Sequence, residues 1–449
     1  MKLLKLLKLL FFNLTAPACF IISFGITGSV GHAASFKPLK ILEEYDYSHK
    51  VKTDRTTIDN RTAFDTGLSN SIQSVRYQEV VTAIEDFLAL LDDDQRAAVV
   101  LPFDHPDRTR DFCYVLARCI EDNPGLRMSQ LNAKQKIALN NVLMKSYSSA
   151  GYSRAIQTMN REGILQEMED AHRADPDKYG VVGSPLAPDW TPPDERSSSN
   201  YYVAIFGEPT VASNYRSANP WGIRFEGHHL SFNLTFDGQG ARPQINAMPM
   251  FFGSSPTIVP QSPPPEAGAY PQWQDREGQQ LLHREAWLAR SFLQSLNDEA
   301  IAQGAWSALP DVVLMGGTDV PLDAASYLDG EKQGIQVAQL TPLQQRLLWD
   351  FAYEFWQLQG NENKIDEYAL KQSLAKSRVW WYGDRDDEHG ELYFRVQSDR
   401  YLIELLQSNT FGVVSDDIEA NHIHSSFRDL ENDWDRNSLG DHWRKFHVP

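Results

Sequence analysis

Two proline-rich connections, ADPDKYGVVGSPLAPDWTPPDERSSSN at 174–200 and GSSPTIVPQSPPPEAGAYPQWQDREG at 253–278, do most to limit what this chain can become. Proline removes a backbone donor and fixes φ, so neither stretch can continue a helix or a central strand, and both are irregular loops. Strand candidates group between and after them: YYVAIFG at 201–207, RFEGHHLSFNLTFDG at 224–238, MPMFFG at 248–253, LYFRVQ at 392–397 and YLIELLQ at 401–407. The last pair, joined by the short Ser-Asp-Arg turn, reads as a hairpin.

Helical patterns flank these strands. Val81, Ile84, Phe87, Leu88 and Leu91 fall on one face of a helix. FLALLDDDQRAAVV at 87–100 resembles FLQSLNDEAIAQGAW at 292–306; in each an apolar helix stops at an acidic cap and another starts. LNAKQKIALNNVL from Leu131 and LTPLQQRLLWDFAYEFW from Leu340 then share a Leu-x-x-x-Gln start, with Asn132 or Thr341 as N-cap. This points to two related helical pairs, too few for a solenoid. Helices on both flanks of mainly antiparallel strands predict an α+β fold, one large domain with an antiparallel sheet flanked by helical pairs, and argue against a doubly wound sheet. GGTD at 316–319 lacks the lysine of a phosphate-binding loop.

The first 34 residues carry Lys2, Lys5 and Lys8, a long apolar stretch and small residues up to Ala33 and Ala34, the pattern of a secretory signal peptide; the stretch is also long enough for a retained anchor, but Gly25, Gly28 and Gly31 before the small-residue site favour cleavage. Residues 35–75 read as a polar arm and 76–449 as the single domain. The expected destination is periplasmic or secreted, with no membrane contact once the leader is gone. The formal charge is −18, and losing three leader lysines deepens it, so the surface repels phosphate backbones and excludes nucleic acid as a partner. Cys113 and Cys119 are the cysteines left after processing; a disulfide and two buried thiols fit their spacing equally.

The chemistry concentrates in two short stretches. Strand alternation puts Arg224, Glu226 and His228 on one face and His229 on the other, where it reads as structural. The same rule puts His422 and His424 of NHIHSSFRD on one face. Two imidazoles at i and i+2 present nitrogens to one metal; His228 and Glu226 from a facing strand would complete a set that zinc, iron, copper or manganese accepts. Glu226 doubles as a candidate general base. Arg428 is a candidate clamp for a substrate carboxylate or sulfate, with Asp429 as the partner that orients a histidine, and Arg224 is a candidate substrate contact. In the bland alternative these groups satisfy one another, His228 with Glu226 and Arg224 with Asp429. Glu404, amid apolar neighbours, is paired, a ligand or turned outward, since a buried carboxylate left alone would be costly. Trp380, Trp381 and Tyr382 of WWYG fit either core packing or a sugar-stacking platform.

With these motifs the chain resembles the domain of unknown function 3500 family. WGIRFEGHHLSFNLT at 221–235 carries the likeness, supported by YYVAIFGEP, MPMFFGSSP, NHIHSSFRDLENDW and a following His442. It runs from about Tyr77 to the C-terminus, with Ile223 where an aromatic residue is expected. The resemblance implies a single large domain uniting these motifs, and no reaction. From the residues, the leading expectation is a metal-dependent enzyme, hydrolytic or oxidative, acting on a small-molecule, peptide or carbohydrate ligand. The rival is a non-catalytic binding protein gripping an anionic or carbohydrate ligand with Arg224, Arg428 and the histidines.

Overall fold

The computed structural model describes residues 77–110, 123–175, 196–209, 219–237, 244–261, 273–308, 334–360, 365–408 and 420–435. The leader and arm, Cys113, Cys119, the 316–319 stretch, His442 and His447 lie outside them.

Among the described residues eight helices accompany one sheet of twelve strands. The helices are α1 (77–89), α2 (Asp93–Val99), α3 (Ala133–Ser146), α4 (Ser149–Ala174), α5 (His283–Gln294), α6 (Asp298–Gly304), α7 (Pro342–Trp356) and α8 (Glu367–Ala375). The strands are β1 (Val100–Leu101), β2 (Leu126–Arg127), β3 (Tyr201–Phe206), β4 (Trp221–Gly227), β5 (Leu230–Asp237), β6 (Gln244–Asn246), β7 (Met250–Ser254), β8 (Ile335–Gln336), β9 (Arg378–Tyr382), β10 (Leu392–Gln397), β11 (Tyr401–Ser408) and β12 (His422–Asp429). Their order across the sheet is β1-β3-β4-β5-β7-β12-β11-β10-β9-β8, with β2 also on β3 and β6 also on β5. Only β1 and β3 pair in parallel, so the fold is α+β, mostly antiparallel, as the flanking helices predict.

That order reads nearly the same from either end because the chain repeats itself. In each half a helix pair leads to a glycine with positive φ (Gly125 at 98°, Gly334 at 91°), a two-residue strand, a 3-10 turn and a long helix. Asn132 and Thr341 cap those long helices, each in a capping box with the glutamine three residues on. The same two glutamines brace the preceding pair: Gln135 Nε2 donates to Leu90 O and Gln344 Nε2 to Ser295 O, both at 2.9 Å. The hairpins correspond too, with Arg224 opposite Asn233 in one and Arg395 opposite Glu404 in the other. The faint helical echo in the sequence is thus the visible part of a two-fold repeat whose halves meet where β7 pairs with β12.

Alternation gives the sheet two unlike faces. Ile223, Phe225, Phe232, Phe252, Ile403 and Phe427 point into the main core against Leu139, Leu143, Phe292 and Phe351 of the helices. The opposite face carries Arg224, Glu226, Ser231, Asn233, Arg395, Glu404, Ser426 and Arg428, all buried. Buried groups of this kind must find partners, which makes this face the place to look for chemistry.

Candidate metal centre

The stretch from Arg224 to Gly238 is not one strand. β4 ends at Gly227 and β5 starts at Leu230, directly opposite, so His228 and His229 form a two-residue hairpin turn. His229 takes a left-handed conformation, φ 61°, as the second central residue of such a turn can require. Alternation holds only within a strand, and the turn cancels the assignment that placed His229 on the far face.

His229, not His228, stands with the His-Ile-His pair. Its Nε2 lies 2.9 Å from His422 Nε2. The ring centroids are 5.2 Å apart for His229 and His424 and 4.5 Å for His422 and His424. The ligand nitrogens of the three residues all lie within 4.8 Å of one another. β7 runs between β5 and β12 and forms the floor, where Gly253 pairs with His424 and donates its N–H to His229 O at 2.7 Å. A Cβ there would sit 2.6 Å from His229 Cδ2 and 2.9 Å from His424 Cδ2, closer than carbon atoms pack. Gly253→Ala is therefore expected to push both rings aside and weaken cation binding at least about tenfold, the lower end of the loss seen when ligand orientation is disturbed, as read by metal titration.

The third wall comes from α4. Glu162, 2% exposed, places Oε1 2.5 Å from His228 Nδ1 and 3.4 Å from His229 Nδ1. Burial works to raise its carboxyl, but the charge and hydrogen bond of His228, the nearby His229 ring and Arg196 outweigh that and hold it well below the usual carboxylate range. Arg196 puts Nη1 3.6 Å from Glu162 Oε2 and 3.3 Å from His228 Nδ1, while its Nε donates to Glu169 at 2.6 Å. Burial pushes the His229 and His424 imidazoles well down, helped by the neighbouring histidines, and burial also lowers His228 against the pull of Glu162. Neutral rings result. An ionised carboxylate favours the proton on the nearer nitrogen of a neutral imidazole, so Glu162, 3.4 Å from His229 Nδ1, favours the tautomer whose Nε2 lone pair faces His422.

The other candidates lie elsewhere. Glu226 belongs to neither His cluster; its Oε2 binds Arg224 Nη2 at 2.7 Å, and Arg224 Nη1 also donates to the carbonyls of Asp107 and Arg110. Arg428 Nε holds Asp433 at 2.9 Å, and Asp429 holds Arg400 at 3.0 Å, four and five residues along β12 from His424, about 13–16 Å at strand rise. These are the ion pairs of the bland alternative with the partners exchanged. Glu404 accepts the Tyr393 hydroxyl. Trp380 and Trp381 are buried, so they form no platform, while Phe351 and Phe355 of α7, four residues apart, both face the core.

Sequence reasoning missed His229, Glu162, Arg196 and Gly253. For His229 a signal existed: apolar residues fall on odd positions through Trp221, Ile223 and Phe225, then on even ones from Leu230 through Phe232, Leu234 and Phe236. That change of parity demands a turn between them. Glu162, within REGILQEMED, carries no local mark; only the docking of α4 on the sheet reveals it. No curated protein and no solved structure matches the chain. A family of proteins of unknown function, DUF3500, matches residues 73–436, most of the chain, and takes in every residue of the His cluster. The protein belongs to the DUF3500 family.

Proposed function

We propose that the protein is a metal-dependent enzyme, hydrolytic or oxidative, whose centre is a divalent transition metal held by His229, His422 and His424, and that it works outside the cytoplasm, where its leader would send it. The observation that carries this reading is the convergence of three imidazoles, His229 and His422 buried and His424 half-buried, with a carboxylate beside the far nitrogen of His229. Three nitrogens and an open fourth position are the ligand set that lowers the pKa of bound water to about 7. With Glu226 tied to Arg224, the set holds no oxygen, which favours zinc, copper or iron over manganese. Two nitrogens about 2.0–2.1 Å from one ion in tetrahedral geometry sit about 3.3 Å apart. The 2.9 Å between His229 and His422 need widen only by a few tenths of an ångström.

A second cation beside His228, His229 and Glu162 is disfavoured, because the Arg196 guanidinium already supplies positive charge there. The rival reading, an anion gripped by Arg224 and Arg428, loses support from the same geometry, since both guanidinium groups are buried in ion pairs. Glu162 then acts by holding His229. Glu162→Gln keeps the shape but removes the charge, and is expected to cost about 10–100-fold in metal affinity, the usual loss for an outer partner of a ligating histidine. Zinc titration against a competing chelator would check this; unchanged affinity would deny Glu162 its role.

A further inference from the structure

Burial shows from which side a molecule reaches the His cluster. His229 is 1% exposed and His422 8%, whereas the His424 ring is half-buried with its Nε2 covered, so the part of the cluster nearest the surface is the edge of His424. Across the sheet from His424 come Leu406, then Tyr393, then Tyr382, in one row on one face. At strand spacing the row extends about 14 Å. Phe251 and Tyr393 anchor a small apolar cluster there, apart from the main core, and Trp306, Tyr382 and Leu406 pack on it while keeping part of their surface. The Phe251 ring meets His424 at 5.4 Å between centroids, and Trp306 stacks on Tyr393 at 5.7 Å and 16°. The Tyr393 hydroxyl is committed to Glu404.

An apolar cluster on the polar face of a sheet, continuous with a half-buried ligand histidine, is suited to ring binding. The partly exposed residues of the cluster, Trp306, Tyr382 and Leu406, are uncharged, the buried Glu404 that borders it is taken up by Tyr393, and the chain carries −18 overall, so an uncharged ligand suits the row best. We propose, on the basis of the metal reading, that this row is the substrate subsite of the centre. It takes a neutral ring-bearing alcohol, a sugar or a phenol, with its ring face on Trp306 and Tyr382 and its hydroxyl oxygen toward the ion beside His424.

The test is calorimetric titration of the zinc-loaded full chain with methyl β-glucopyranoside, 4-methylphenol and benzoate, with zinc content measured in parallel. One of the two neutral probes should bind, which distinguishes sugar from phenol, and benzoate should bind more weakly. Trp306→Ala and Tyr382→Ala, both partly exposed positions, should weaken that probe at least about tenfold with zinc content unchanged. If zinc is held but neither neutral probe binds by about 10 mM, or both variants bind as well as wild type, the subsite is overturned and the metal reading stands. A wild-type chain that takes no zinc overturns the metal reading, and this one with it.

Discussion

His229→Ala is expected to empty the centre, taking a chain that holds one equivalent of zinc to one that retains less than a tenth after dialysis. Removing one of three ligands should cost more than the 10–100-fold that attends loss of an outer partner. His422→Ala and His424→Ala should behave alike, because their nitrogens share the same 4.8 Å cluster with His229. His228→Ala should keep most of its zinc, since His228 faces Glu162 through Nδ1 and stands outside that cluster. The contrast between adjacent histidines is the sensitive part of the test: a chain that loses zinc with His228 and keeps it with His229 would reverse the assignment. Acid adds a second axis. A free imidazole begins to exclude a metal near pH 6.5, and burial pushes His229 and His424 well below that value. Proton competition therefore starts at lower pH here, and zinc should stay bound as pH falls through 6.5. Elemental analysis after dialysis across pH 5–8 measures both effects.

How much of this the sequence disclosed depends on the range of the interaction concerned. Strands such as Leu392–Gln397 and Tyr401–Ser408 were legible because a short run of apolar and aromatic residues on either side of a tight turn is a local signal. Helix starts at Asn132 and Thr341 were legible for the same reason, since cap and glutamine lie three residues apart. The His-Ile-His pair was found because i and i+2 share a face on any strand. His229 was misplaced because one strand was read where the apolar parity requires two. Glu162 and Gly253 were invisible in a stronger sense. A glutamate on a 26-residue helix is unremarkable until α4 docks, and the small size of Gly253 matters only because β5 and β12 bring two rings over it. The repeat lay between these cases, with helical caps alike enough to notice and hairpins whose likeness is one of register rather than residues.

Arg428→Met is expected to damage stability without touching the metal. Arg428 is 1% exposed and Asp433 fully buried, with 2.9 Å between them, and Asp433 also accepts the N–H of Asp429. Breaking a buried pair from one side leaves the other charge uncompensated, at about 3–5 kcal/mol, against the roughly 5–15 kcal/mol that holds a typical domain folded. The loss should depend on pH in a fixed direction. Burial pushes Asp433 up to about 6 even with Arg428 opposing the shift, and without the guanidinium the carboxyl should rise further. A carboxyl whose folded pKa exceeds its unfolded value favours the folded state most when protonated, and that advantage fades as pH climbs through the folded pKa. The variant should thus approach wild-type stability near pH 5 and fall furthest behind near pH 8, as read by urea unfolding at both values. Zinc content should match wild type throughout, because Arg428 lies about 13 Å along β12 from His424. Unchanged unfolding together with lost zinc would instead return Arg428 to the chemistry that its position after the His-Ile-His stretch first suggested.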